Sequence, residues 1–366
     1  MVGQSLIKKR LEKQLTQGMF RHAYLFHGAA GLGKYSFAMA FAQALLCERA
    51  SAPQGVSRGI AADSVVEAGS SAFIADAAVT NSEFGAVDQG PVIPCHRCMT
   101  CRLFEGGTAD DFLLLEPQQG KSISVGDVRL ISEWVSIRPV YAKKKVYVIR
   151  NADKMTVQAQ NALLKTLEEP PPYVTAILTA SNTEVLLDTI KSRCMMIQFS
   201  RYSTEDIDAL LTGETELSAD KRKFLAAVSG GIPGKALELC SSRDFFELRE
   251  ETIALFAEFM HGDAVAGYRL TEFFESNREA FEDVIDIAIS WLRDLWIYAV
   301  GGGAEQRTNL DKDEVTRSCR DAVNAQALLE MIEVLDGMKT SVSANANYTL
   351  AVNAMLFQIN TLREAV

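Results

Sequence analysis

Short, almost uninterrupted apolar runs alternate with stretches of helical periodicity through the first 200 residues, and this alternation restricts the fold more than any other feature. The runs are AYLFH at 23–27, DFLLLE at 111–116, KVYVI at 145–149, TAILTA at 175–180 and MMIQF at 195–199. Strands that are apolar on both faces are typical of a parallel sheet covered by helices on its two sides. We therefore predict one α/β domain over residues 1–200.

Beyond residue 200 the sequence has a helical pattern to its end. The segment STEDIDALL, from residue 203, opens with a good N-cap residue, and a glycine-rich break follows at 229–234. We predict a small helical domain at 201–243 and a larger helical domain at 244–366.

Residues 51–92 differ from both regions in composition. Alanine, serine and glycine dominate this stretch, basic residues are scarce, and no periodicity is sustained. We predict a flexible insertion there.

The composition excludes several classes of protein. Hydrophobic residues make up 48% of the chain and charged residues 23%, as in an ordinary globular protein. A net charge of −10 argues against a protein that binds nucleic acid over its whole surface, because neutralising phosphates requires a concentrated basic face. The first residues read as an amphipathic helix rather than a secretory signal, and no apolar run approaches membrane-spanning length. We expect a cytoplasmic protein with no membrane partner.

The segment GAAGLGKY at 28–35 follows the first apolar run and opens a helical stretch. Such a loop binds phosphate through its backbone N–H groups and the helix N-terminus, and its lysine adds a positive charge. The alternative is a tight strand-to-helix turn with no ligand. We predict a degenerate phosphate-binding loop whose candidate residues are Gly28, Gly31, Gly33, Lys34, Tyr35 and Ser36.

Two departures from a hydrolysing site accompany this loop. The residue after the lysine should be Ser or Thr to hold Mg²⁺, but it is Tyr35, and Ser36 is displaced by roughly 100° on a helix. The third apolar run ends at Arg150 and Asn151, where hydrolysis requires an acidic pair. Asp153 follows at the start of the next helix, where a role as a cap or as a first-turn carboxylate is expected. The sequence thus predicts no intrinsic ATPase activity, and it leaves open whether ATP or ADP binds without hydrolysis.

Four cysteines form a candidate metal site. Cys95, Cys98 and Cys101 have CxxCxxC spacing, and Cys47 at the end of the first long helix is the natural fourth ligand. Four thiolates suit a structural Zn²⁺ with no open coordination position. Redox chemistry by one CxxC pair is the alternative, but it does not require three evenly spaced cysteines. We predict a structural zinc module inserted in the first domain.

The helical stretch after Asn151 carries an apolar stripe at helical spacing, which we predict to face the core. Its members are Met155, Ala159, Ala162, Leu163, Thr166 and Leu167. The charged residues Lys165, Glu168 and Glu169 lie off this stripe, so they form either a solvated face or an intersubunit surface.

The segment NADKMTVQAQNALLKTLEEPP at 151–171 resembles the clamp-loader subunits of bacterial DNA polymerase III. The loop at 28–35, the four cysteines, HAYLF at 22–26 and Ser-Arg-Cys at 192–194 match the same family. The resemblance covers at least residues 1–240, and the helical tail fits by length and position. It implies an AAA+ fold of the P-loop type, with 201–243 as a helical lid and 244–366 as a collar that joins subunits into an open ring.

Within that family, gamma/tau-like motor subunits carry a complete phosphate loop and an acidic pair, whereas the delta-prime type often lacks them. Tyr35, Arg150 and Asn151 therefore favour a delta-prime-like subunit, as does Gly234, which stands where the motor has a nucleotide-sensing arginine. The resemblance also implies that Arg193 acts in trans as an arginine finger on the ATP of a neighbouring motor subunit. The alternative for Arg193 is a surface ion pair at the start of a strand.

The implied partners are gamma/tau-like motor subunits and a delta subunit in a hetero-pentameric ring, with the sliding clamp and primed DNA reached through the complex. Two other functions stay open. An ATP-hydrolysing motor of the same family is consistent with Lys34. A free-standing zinc-dependent nucleic-acid-binding protein is the second, but the acidic charge and the lack of a basic, aromatic-rich stripe count against it.

Overall fold

The computed structural model describes residues 4–51, 94–118, 121–214, 217–263, 265–320, 322–344 and 346–364. These residues form two compact units. The N-terminal unit contains residues 6–28 and the described residues of 34–198, and the C-terminal unit contains residues 4–5, 29–33 and the described residues from 199 onward. The predicted insertion at 51–92 lies outside the described residues from position 52 on.

A parallel sheet forms the centre of the N-terminal unit. Its strands are β1 (Ala23–His27), β2 (Phe112–Leu115), β3 (Lys145–Ile149), β4 (Val174–Ala180) and β5 (Met195–Gln198). They lie in the order β2–β3–β4–β1–β5, and every pairing is parallel. The three central strands are almost entirely buried, whereas β2 and β5 at the edges are partly exposed. The predicted parallel α/β sheet is therefore confirmed, and each apolar run matches its strand to within one residue at either end.

One helix precedes β1, and the other described helices of this unit lie between successive strands. They are α1 (Ser5–Gln17), α2 (Lys34–Leu46), α3 (Met99–Glu105), α4 (Val125–Ser136), α5 (Val157–Glu168) and α6 (Asp188–Arg193). Side chains cap two of the helix starts: Ser124 and Asp127 form a reciprocal capping box on α4, and the Thr156 hydroxyl accepts the Ala159 N–H at the start of α5. These caps fix where the two helices begin.

The predicted apolar stripe of α5 faces the core. Ala162 is half-buried, and the other five residues of the stripe are buried. The buried residues are Met155, Ala159, Leu163, Thr166 and Leu167. Lys165, Glu168 and Glu169 are exposed, as their position off the stripe predicts. The helix ends at Glu168, two residues before Pro170, which could not continue it.

The described part of the C-terminal unit is built from helices and short turns. The helices are α7 (Thr204–Glu214), α8 (Ala219–Val228), α9 (Pro233–Ser241), α10 (Arg243–Met260), α11 (Ala266–Ser276), α12 (Phe281–Ala299), α13 (Asp313–Ser318), α14 (Ala325–Ser343) and α15 (Tyr348–Glu364). This confirms the predicted helical character after residue 200, while the boundary at 243 and 244 stays a prediction. Across both units, none of the helices described has the length and apolar composition needed to cross a membrane.

A buried arginine connects three segments of the C-terminal unit. Arg249 on α10 is 1% exposed and donates from its two terminal nitrogens to both carboxylate oxygens of Asp311, each at 2.7 Å. It also donates to Asn309 Oδ1 at 2.9 Å, and its guanidinium lies 4.1 Å from the ring centroid of Phe224 on α8. A charge this deeply buried is tolerated only when its partners satisfy it. Arg249 therefore joins α10 to α8 and to the 309–311 segment, and its buried charge is stable only while these contacts are present.

We predict that Arg249→Ala lowers the stability of the C-terminal unit by about 3–5 kcal/mol, because it leaves the Asp311 carboxylate without its buried partner. The matched control is Arg269→Ala, which removes a pair with Glu258 whose side chains are 49% and 42% exposed. That variant should cost less than about 1 kcal/mol. Urea denaturation followed by tryptophan fluorescence measures both losses, and equal small losses would contradict the structural role of Arg249.

Candidate functional site

The carboxyl ends of the parallel strands meet at one edge of the sheet, and the predicted phosphate loop begins there. Gly28, Gly31 and Gly33 have φ angles of 139°, 77° and 80°, a region that glycine adopts without the strain a side chain would add. The loop leads directly into α2, whose N-terminal N–H groups carry the positive end of the helix dipole. The loop therefore has glycines at its positions of positive φ and leads into a helix N-terminus, two features that an anion-binding loop requires.

Lys34 is 7% exposed and its ammonium group lies against the loop itself. Its Nζ donates to the Gly28 carbonyl oxygen at 2.6 Å and to the Ser181 hydroxyl at 3.3 Å, just beyond the end of β4. Burial lowers the pKa of Lys34, and the nearby Asp153 carboxylate opposes that shift. The lysine is thus positioned at the loop, where a phosphate would compete with the Gly28 carbonyl for its protons.

The two positions where a hydrolysing site holds Mg²⁺ are occupied by residues that cannot ligate it. The Arg150 guanidinium carbon lies 4.6 Å from the centroid of the Tyr35 ring, and Arg150 Nη1 pairs with Glu116 Oε2 at 3.1 Å. Ser36, whose hydroxyl comes one position after the expected metal ligand, is exposed. Hydrolysis requires a metal ligand after the lysine and a carboxylate after the neighbouring strand. These two positions hold Tyr35 and Arg150, and the cation of Arg150 lies against the aromatic ring of Tyr35.

The residues that follow β3 also lack the acidic pair. Asn151 adopts a left-handed conformation with φ of 54°, and its backbone N–H donates to Thr179 Oγ1 at 3.0 Å. Asp153 lies in a short 3-10 turn, Ala152–Lys154, where its carboxylate accepts the Asn182 N–H at 3.4 Å. Asp153 is thus a first-turn carboxylate, one of the two roles that the sequence predicted, and it also bonds to the backbone after β4.

Arg193 is the last residue of α6, two positions before β5 begins. Its Nη2 pairs with Glu168 Oε1 at 2.6 Å, and its Nη1 donates to the Thr189 carbonyl oxygen at 3.0 Å. The Arg193 side chain is 33% exposed and that of Glu168 is 46% exposed. Within the chain, the surface ion pair that the sequence offered as the alternative is present.

The four predicted metal ligands come together in the N-terminal unit. The sulfur atoms of Cys47, Cys95, Cys98 and Cys101 all lie within 4.8 Å of one another, and those of Cys47 and Cys98 are 4.0 Å apart. Tetrahedral coordination by four thiolates at Zn–S distances of about 2.3 Å places the sulfurs about 3.8 Å apart. The cluster could hold a metal ion, and both its donor set and its spacing fit Zn²⁺.

The surroundings of the cluster perturb its thiols in opposite directions. Burial raises the pKa of Cys47 and of Cys101. Burial acts the same way on Cys98, but hydrogen bonds from the Thr100 hydroxyl and from backbone N–H groups outweigh it and lower the pKa of Cys98 to about 6. A thiol that ionises this readily is a ready metal ligand.

His96 is not part of the sulfur cluster. Its Nδ1 lies 2.6 Å from Glu105 Oε1, and its side chain is 59% exposed. The structure therefore supports leaving His96 out of the predicted ligand set.

Sequence reasoning missed three contributors to these sites. Glu116 is the last residue of the second apolar run and directly follows β2, so its place at the carboxyl edge of the sheet could have been inferred. Ser181 likewise follows the fourth run. No sequence signal paired Glu168 with Arg193, although its position off the apolar stripe predicted its exposure.

We predict that the purified chain carries about one Zn²⁺ and that Cys98→Ser removes most of it, because a structural site needs all four thiolates. Zinc content by mass spectrometry and the thermal unfolding midpoint would both fall. Cys240→Ser, at a half-buried cysteine of α9 in the other unit, is the matched control and should change neither. Full zinc retention by Cys98→Ser would contradict the assignment.

Comparison with known proteins gives a consistent assignment. The chain is 27% identical over 358 residues to DNA polymerase III subunit tau of Bacillus subtilis, covering 92% of this chain and 56% of that protein. It is 29% identical over 258 residues to DNA polymerase III subunit delta' of the same organism, covering 70% of this chain and 65% of that protein. The matches thus span less than two thirds of these relatives.

Among solved structures, the chain is similar to a DNA polymerase III gamma subunit-related protein of Thermotoga maritima, with 15% identity and a TM-score of 0.39. The match covers 96% of this chain and 99% of that protein. The family model described as DNA polymerase III, delta subunit, matches residues 3–63 and 70–203, which is more than half of the chain. The chain therefore belongs to this DNA polymerase III subunit family.

Proposed function

We propose that this chain is a delta-prime-like, non-hydrolysing subunit of the DNA polymerase III clamp loader. The observation that carries the proposal is the replacement of the magnesium and water-activating groups by Tyr35, Arg150 and Asn151, with the first two in contact. A relative named delta' and the family match support it. Such a subunit would contribute to the reaction through its neighbours rather than through its own loop.

The proposed assembly is a hetero-pentameric ring with gamma/tau-like motor subunits and a delta subunit, which loads the sliding clamp onto primed DNA. In this arrangement the parallel sheet belongs to an AAA+ domain, residues 201–243 form its lid, and residues 244–366 form the collar. The zinc module would brace the first domain by tying the end of α2 to α3.

Arg193 is the residue through which this subunit would act on a neighbour. A guanidinium is permanently charged and presents five donors, so it can stabilise the charge that develops on a γ-phosphate during transfer. An arginine finger contributes a factor of about 10³–10⁵ in rate, or roughly 4–7 kcal/mol. The position of Arg193 at the exposed end of α6 is compatible with contact in trans.

The ion pair with Glu168 does not prevent this role. Both side chains are at least one third exposed, and pairs of this kind are worth about 0.2–1 kcal/mol. Exchanging Glu168 for a phosphate therefore costs far less than the finger contributes. Glu168 would therefore pair with Arg193 until the γ-phosphate of a neighbouring subunit replaces it.

The rival function is an ATP-hydrolysing motor. It is consistent with Lys34 at the loop, but it requires a metal ligand after the lysine and a carboxylate after β3. The structure has a tyrosine and an arginine in contact at these positions. The non-hydrolysing role fits both the presence of Lys34 at the loop and the contact between Tyr35 and Arg150.

We predict that Arg193→Ala lowers DNA-stimulated ATP hydrolysis of a reconstituted complex at least about tenfold at the site served by this subunit, because the finger is lost. The complex would contain gamma/tau-like, delta and clamp subunits from the same source. Arg193→Lys should rescue little, since a lysine lacks the planar fork.

Lys191→Ala is the matched control, because Lys191 lies on the same helix and pairs with Asp188 at 2.7 Å. It should leave hydrolysis near the wild-type rate. Gel filtration must show that every variant enters the ring. Wild-type hydrolysis by an assembled Arg193→Ala complex would refute the role in trans.

A further inference from the structure

The contact between Tyr35 and Arg150 involves the two positions at which this chain departs from a hydrolysing phosphate loop. In P-loop enzymes the hydroxyl after the lysine and the carboxylate after the neighbouring strand bind the same Mg²⁺. Those positions must therefore face one cation between them. Here the Arg150 guanidinium carbon lies 4.6 Å from the centroid of the Tyr35 ring, so a permanent cation lies beside the residue that follows the lysine.

Arg150 is held by two neighbouring side chains and remains accessible to solvent. The Tyr35 ring stacks on one face of the guanidinium, and Glu116 accepts a hydrogen bond from Nη1 at 3.1 Å. The Arg150 side chain is 45% exposed and that of Glu116 is 48% exposed, so solvent and solutes reach the pair. A guanidinium has five donors, and the bond to Glu116 leaves it able to bind phosphate with others.

The parts of the loop that bind phosphate without a metal are all retained. Lys34 lies at the loop beside the Gly28 carbonyl, and the glycines keep their positive φ angles. The loop opens a helix of 13 residues, whose N-terminus attracts anions. The metal ligands have changed, while the anion-binding groups have not.

We propose that Arg150 takes the place of the divalent cation, so that this chain binds ADP and ATP with an affinity that does not depend on Mg²⁺. Arg150 and Lys34 would neutralise the phosphates from two sides. Asn151 cannot act as a general base for water, so the bound nucleotide would not be hydrolysed. This property concerns the chain's own loop and holds whatever Arg193 does.

Isothermal titration calorimetry of the full chain with ADP and with ATP tests the proposal, in buffers containing either Mg²⁺ or EDTA. We expect dissociation constants within about threefold of each other in the two buffers, because the arginine charge is permanent. Arg150→Ala should weaken binding about tenfold or more, as expected for loss of a charge-assisted contact. Lys34→Ala should weaken it as well and so identify the loop as the site.

Matched variants separate a local effect from damage to the fold. Lys154→Ala removes an exposed cation four residues after Arg150 and should leave the affinity unchanged. Arg150→Lys keeps the charge without the fork and should give an intermediate affinity. The double variant Tyr35→Thr with Arg150→Asp restores the usual metal ligands, so its binding should become at least about tenfold tighter in Mg²⁺ than in EDTA.

Three results would overturn the proposal. They are absence of ADP and ATP binding by the wild-type chain at millimolar concentration, wild-type binding that requires Mg²⁺, and an Arg150→Ala variant that melts like wild type and binds nucleotide equally well. Thermal melting of each variant distinguishes the last result from misfolding.

Discussion

Parallel pairing of β1 with β4, and of β4 with β3, places the ends of three central strands at one edge of the N-terminal unit, and the candidate site depends on this pairing. Lys34 and Ser181 are 147 positions apart in sequence, yet they are within hydrogen-bonding distance because each follows a strand that ends there. Arg150 and Glu116 come to the same edge from β3 and β2. A register shift of one residue would turn each strand-end side chain to the opposite face. Such a shift would also change which side chains pack against the helices on either face of the sheet.

This edge carries the glycines and the lysine of a phosphate-binding loop, but not the metal ligands of a hydrolysing site. The glycines of the loop have positive φ angles and its lysine is buried, whereas an arginine and a tyrosine in contact stand at the positions where a hydrolysing site has its metal ligands. The proposed absence of hydrolysis therefore does not require loss of the loop. The two proposals are compatible, because a subunit that hydrolyses no ATP could still bind nucleotide and could still place Arg193 at a neighbour.

Sequence reasoning predicted the elements better than their contacts. The five strands matched to within one residue because buried parallel strands are apolar on both faces, a local signal that is hard to confuse. The four cysteines were found for a similar reason, since CxxCxxC spacing and the end of a helix bring the thiols near each other. The lid and collar boundaries remain predictions, because one helical pattern follows another without a change of periodicity.

The pairs Arg150–Tyr35 and Arg193–Glu168 could not be predicted from periodicity. Each joins residues more than 20 positions apart and is set by strand order and side-chain rotamers. The helix that ends at Arg193 was also missed, because α6 is only six residues long and carries little pattern.

The most direct measurement is steady-state ATP hydrolysis by the isolated, zinc-replete chain in Mg²⁺, with and without primed DNA. A subunit lacking the magnesium ligand and the water-activating carboxylate should show no turnover above that of buffer. Turnover by the wild-type chain that disappears in Lys34→Ala would contradict the non-hydrolysing role and would make this chain a motor.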